Sequence, residues 1–155
     1  MNRGMTGRFN RFETICKQPL DQYFGLQHNY NKFDIVPKRT DINKLELLIH
    51  VEKKYYYDFD SLPTDISCVI SEYLTKFIYI CVEITFPPDY PFNQPQYKLL
   101  YTKHNLSHYI NIENYYKCIV INHNLQYTRD WSPAIEIVKD ILDFIQKINH
   151  FEYLF

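Results

Sequence analysis

Phe86-Pro87-Pro88-Asp89-Tyr90-Pro91-Phe92-Asn93-Gln94-Pro95 is the stretch that decides the fold. Proline has no N–H to donate, so this segment cannot continue as a central strand and reads as a fixed loop. Residues 77–86, just before it, carry the clearest alternation in the chain. Ile78, Ile80, Val82 and Ile84 fall on one face, and Phe77, Tyr79, Cys81 and Glu83 on the other. Residues 96–101, just after it, read as a second strand. The two are expected to be adjacent and antiparallel, joined by the proline loop. Residues 44–52 read as a third strand.

Moving downstream, Trp131-Ser132-Pro133 reads as a helix start, with Ser132 as cap and Pro133 at the first helical position. That helix is expected to run to about residue 149. Ala134, Val138, Ile141, Leu142, Ile145 and Ile148 form its apolar stripe. Upstream, Phe9, Phe12, Ile15 and Cys16 recur near helical spacing, with Thr6 as a candidate cap and Pro19 as a stop, which predicts a helix over about 6–18. Residues 53–76 are the least readable part; residues 69–74 fit a short helix or a strand. Cys118 follows Asn111-Ile112-Glu113-Asn114-Tyr115-Tyr116-Lys117, which reads as an irregular segment. Strands grouped together with helices kept apart indicate an α+β domain on an antiparallel sheet.

The length of 155 residues fits one domain, 1–155, large enough to bury a core without disulfides or metal. A net charge of −1 gives no electrostatic footprint for nucleic acid. No apolar run is long enough for a membrane span, and residues 1–8 have no apolar signal core. A reducing compartment, cytoplasm or nucleus, is expected rather than secretion. The four cysteines form no Cys-x-x-Cys pair and the six histidines no His-Glu-x-x-His spacing, so neither a metal site nor a cofactor is expected. Cys16, Cys68 and Cys81 read as structural. Cys118 admits two readings: a small buried hydrophobe, because Ile119, Val120 and Ile121 follow it, or an exposed nucleophile, because a polar stretch precedes it.

The proline loop, Cys118 and Trp131-Ser132-Pro133 together resemble the core of the ubiquitin-conjugating enzyme family over residues 77–148. In that family a strand ends in Tyr-Pro-Phe-x-x-Pro, a catalytic Cys follows, and Trp-Ser-Pro opens the next helix. The resemblance implies a UBC-like fold, with a core over about 44–149. Its antiparallel four-stranded meander would carry an N-terminal helix and a central helix. It implies that Cys118 takes ubiquitin or a ubiquitin-like protein from a ubiquitin-activating enzyme as a thioester. The modifier then passes to a lysine with a RING-type ligase, and ATP is consumed by the activating enzyme. Phe92, Pro133 and Ala134 match ligase-binding positions, and Arg8 and Arg11 lie where the family's first helix meets the activating enzyme.

Within this resemblance His108 stands ten residues before Cys118, as the His of the family's His-Pro-Asn does, but Tyr109 and Ile110 replace the Pro and Asn. Asn111, one position further on, is the candidate oxyanion donor, with Asn105 as an alternative; each also reads as a turn-forming residue. Tyr115 replaces a small family residue, and the chain reaches only to Phe155, so the family's two C-terminal helices are not expected. These departures keep a second implication open. The chain could be a catalytically inactive variant of the same fold, binding ubiquitin or a conjugating enzyme; a non-catalytic scaffold is a third.

Overall fold

The computed structural model describes residues 3–17, 32–53, 62–73, 75–106, 111–126 and 130–148. The described elements are α1 (Arg3–Cys16), β1 (Lys32–Asp41), β2 (Lys44–Lys53), α2 (Thr64–Tyr73), β3 (Lys76–Thr85), β4 (Gln96–His104), α3 (Ile112–Gln126) and α4 (Ile137–Ile148). The strands form one antiparallel sheet in the order β1-β2-β3-β4, so the fold is α+β on a simple meander. β3 and β4 are neighbours across the proline loop, as their sequence pattern predicts. The sheet starts earlier than the expected core boundary at residue 44, because β1 precedes it.

The alternation of β3 sets which sheet face is buried. Ile78, Ile80, Val82 and Ile84 are all fully enclosed. In register beside them, Val51, Ile49, Leu47 and Leu45 of β2 are enclosed too. Fully burying such a side chain contributes about 1.5–3 kcal/mol, so this double row outweighs any surface ion pair here. Phe9 and Phe12 of α1 and Ile137, Ile141, Phe144 and Ile145 of α4 complete the same core. A bulge lies where Cys81 pairs Tyr101 but Val82 pairs Leu99, leaving Leu100 as the extra residue on β4.

Three expectations are corrected. Cys118 lies in no irregular segment; residues Ile112–Gln126 are helical. Asn111 caps this helix: its side-chain oxygen accepts the Asn114 N–H at 3.1 Å, and its backbone carbonyl accepts the Tyr115 N–H at 3.0 Å. Ile112, Tyr116, Val120 and His123 then recur on one buried face. The exposed Glu113–Lys117 pair at 2.7 Å flanks that face and supports the helix by about 0.2–0.5 kcal/mol.

Second, the last helix starts at Ile137, not after Ser132. Ser132 instead closes a turn on itself: its hydroxyl accepts the Ala134 N–H at 3.3 Å and its carbonyl the Ile135 N–H at 2.9 Å. Pro133 and Ala134 therefore lie in an exposed turn, and Ala134 is not part of the buried stripe. Third, residues 64–73 form a helix whose Cys68 is exposed, not a structural core thiol. Cys81 is buried and Cys16 half-buried, as expected of structural thiols.

Candidate functional site

The proline loop is folded by consecutive turns. Tyr90 N–H donates to the Pro87 carbonyl at 3.0 Å and Phe92 N–H to the Asp89 carbonyl at 2.8 Å. The Tyr90–Pro91 peptide is cis, and the Asn93 amide bonds the Asp89 carboxylate. Tyr90 is buried edge-on against Phe86, while Phe92 stands 74 % exposed. The loop is tied to the 130–136 turn because the Trp131 ring N–H donates to the Pro91 carbonyl at 2.8 Å. Phe92, Pro133 and Ala134 are therefore brought to one end of the molecule, on a braced loop and an exposed turn.

Arg8 and Arg11 of α1 reach the same end. The Arg8 guanidinium lies 6.0 Å from the Tyr90 ring centroid. Burial pushes the Tyr90 hydroxyl up from its ordinary range, and Arg8 partly offsets this. Arg11 is 3.5 Å from Glu136 across an exposed pair. Such a pair is worth about 0–1 kcal/mol, so it orients α1 more than it stabilises it.

Cys118 lies on the outer face of α3 and is exposed. The buried-hydrophobe reading fails because Tyr116 and Val120, about half a turn to either side of it, take the inward positions. Asn114 and Asn122, one turn before and after it, are exposed on the same stripe, as are Ile121 and Leu125. Burial pushes the Cys16 thiol up to about 12. Cys81 is raised by burial, then by Glu46. Exposure thus separates Cys118 from both.

The two asparagines expected near the chemistry are committed to the backbone. Asn111 is seven positions before Cys118; at 1.5 Å rise per residue this is about 10 Å along the helix. An oxyanion donor must stand about 3 Å from the reacting oxygen, so Asn111 cannot serve Cys118 in this conformation. Asn105 is no substitute: its oxygen accepts the Phe77 N–H at 2.9 Å and its amide donates to the Thr75 carbonyl at 2.8 Å. His108 lies outside the described residues.

The asparagine that sequence reading missed is Asn124. Its side-chain oxygen accepts the Tyr97 N–H at 2.9 Å, and its amide donates to the Tyr97 carbonyl at 2.8 Å. Its own carbonyl accepts the Gln94 side-chain amide at 3.1 Å. One residue of α3 thus pairs with β4 as a strand would, and ties in the end of the proline loop. No local signal marks it, since the partner lies 27 residues away in sequence.

The chain finds no match among family models, curated proteins or solved structures. Among the described residues no helix is long and apolar enough to cross a membrane, and no group of His, Cys, Asp or Glu could hold a metal ion.

Proposed function

We propose that the chain is a divergent ubiquitin-conjugating enzyme of UBC-like fold, with Cys118 as the residue that accepts ubiquitin or a ubiquitin-like protein as a thioester. The observation that carries this reading is the exposure of Cys118 on the outer face of α3; in the sequence it falls between the proline loop and Trp131-Ser132-Pro133. Transthiolation needs an accessible thiol first of all. The Cys118 thiolate attacks the thioester carbonyl of the charged activating enzyme, and that enzyme's cysteine leaves as thiolate. A lysine amine then attacks the new thioester and Cys118 leaves. Phe92, with Pro133 and Ala134, supplies the apolar knob on which a RING-type ligase would dock at little ordering cost.

A second reading is favoured by the commitment of Asn111 and Asn105 to the backbone. Without an oxyanion donor, aminolysis loses the stabilisation that one such group supplies, about 100- to 1000-fold in rate. The chain would then be a non-catalytic UBC-like module that binds partners through the Phe92 end. One experiment separates the two. Wild type and Cys118→Ala are incubated with activating enzyme, ATP and ubiquitin, and resolved with and without reductant. A reductant-sensitive adduct on wild type alone supports the enzyme. No adduct, together with RING-domain binding lost in Phe92→Ala, supports the module. Neither adduct nor binding would remove both.

A further inference from the structure

His123 and Asp140 are each only 1 % exposed, on the facing sides of α3 and α4. His123 Nε2 lies 3.2 Å from Asp140 Oδ1, within reach though not aligned as a straight bond. The other carboxylate oxygen accepts the Tyr97 hydroxyl of β4 at 2.6 Å. Lys147, from the last turn of α4, places its Nζ 3.0 Å from His123 Nδ1. The rings of Tyr97 and Phe144 meet the imidazole edge-on, at 4.4 and 5.1 Å between centroids. One polar chain therefore joins β4, α4 and α3.

The proton positions follow from the partners. An ammonium can only donate, so Nδ1 must be the acceptor, and the ring proton sits on Nε2 facing Asp140. One Asp140 oxygen accepts from the Tyr97 hydroxyl, and the other faces His123 Nε2 at 3.2 Å without an aligned bond. Burial pushes Lys147 below its ordinary range, opposed by Asp143 and Asp140. The groups facing this ring and its ammonium are thus Asp140, Asp143 and Lys147 of α4 and Tyr97 of β4.

We propose that this network is a proton-sensitive clamp between the last turn of α4 and the helix that carries Cys118. A proton taken from solvent by His123 would form an N–H at Nδ1, directly against the Lys147 ammonium. Two like-charged donors cannot share that contact. Lys147 is only part-buried and has a flexible stem, so it leaves for water or Asp143. Asp140 holds on to both Tyr97 and the protonated ring. Acid therefore frees the end of α4 from α3 and leaves the β4 side intact. The device stands independently of any chemistry at Cys118.

The test combines ring spectroscopy with amide exchange. Nitrogen-15 NMR at pH 7.5 should find the His123 proton on Nε2. As pH falls and the ring gains its second proton, exchange protection at residues 144–148, corrected for intrinsic rate, should drop about tenfold or more. Residues 137–141 should change far less. His123→Gln, which cannot titrate, should show no such drop. Lys147→Met should be loosened at 144–148 already at pH 7.5, with no further fall in acid. A proton on Nδ1 at pH 7.5 would overturn the clamp, as would ring protonation without loss of protection. If His123→Gln does not fold, an acid-induced loss in Lys147→Met equal to that of wild type overturns it as well.

Discussion

Replacing Asn124 by Ala should be costly for a half-buried polar change. The side chain makes two hydrogen bonds to Tyr97, one accepted and one donated, at 2.9 and 2.8 Å. Truncation removes both of these bonds from the N–H and the carbonyl of one β4 residue, at a half-buried position. A typical net loss is about 0.5–1.5 kcal/mol per bond, and an orphaned buried group costs about 1–3 kcal/mol. The two net bond losses together give about 1–3 kcal/mol. At about 2–4 °C per kcal/mol for a chain of this size, Tm should fall by roughly 2–12 °C. Asn124→Asp keeps the acceptor and loses the donor, so it should fall between wild type and Ala. Urea unfolding followed by far-UV circular dichroism measures both. A loss below about 0.5 kcal/mol for Asn124→Ala would refute the reasoning, because it would mean that α3 is not held to β4 through this bracket.

Further outcomes follow from the thiols and from Asn111. Iodoacetamide at pH 8 followed by peptide mass spectrometry should modify Cys118 and Cys68 well before Cys16 and Cys81, since the former pair is exposed; equal rates at Cys81 and Cys118 would contradict the burial assigned here. Cys16 also gives a pH signature. Its folded value, about 12, lies above the ordinary 9.0. The unfolded chain therefore loses this proton first, and stability should decline as pH rises from about 9 toward 12. Cys16→Ala should remove that part of the decline, and an unchanged alkaline slope would count against it. Asn111→Ala should lower stability by about 0.5–2 kcal/mol through loss of the cap, and Asn111→Ser should restore most of it. If Asn111→Ala instead leaves stability untouched and slows lysine transfer more than about 100-fold, the capping assignment gives way to the oxyanion one.

Period and proline made much of the sheet readable. β3 shows a strict period of two, and the four prolines that follow must end it, so both the strand and its loop are local consequences of sequence. β1 is different. Lys32, Asp34, Lys38, Arg39 and Asp41 crowd it with charge, Pro37 interrupts it, and only Ile35 is buried among its described side chains. It can exist because it is an edge strand, where a residue lacking an N–H is tolerated and charge deters further pairing. Nothing local declares this; the pairing with β2 does.

The candidate site divides along a similar line. Phe92 and Cys118 were singled out by the motifs around them, with the exposure of Cys118 left open against its burial. The helix beneath Cys118 was not, because Asn, Tyr, Ile and Val are indifferent helix formers and its inward stripe includes a histidine. The spacing of Ile112, Tyr116, Val120 and His123, behind an asparagine cap and an acidic first turn, was the available signal. Asn111 illustrates why residue type alone could not settle the chemistry. The same carboxamide that donates to an oxyanion also accepts a backbone N–H at a helix start. Backbone conformation decides between them, and here it turns Asn111 toward the amide of Asn114. The exposed carboxamides one turn from the sulfur are instead Asn114 and Asn122, on the same stripe as Cys118. If Cys118 carries out transfer from this conformation, the oxyanion must be met by groups on that stripe or by a partner docked against it.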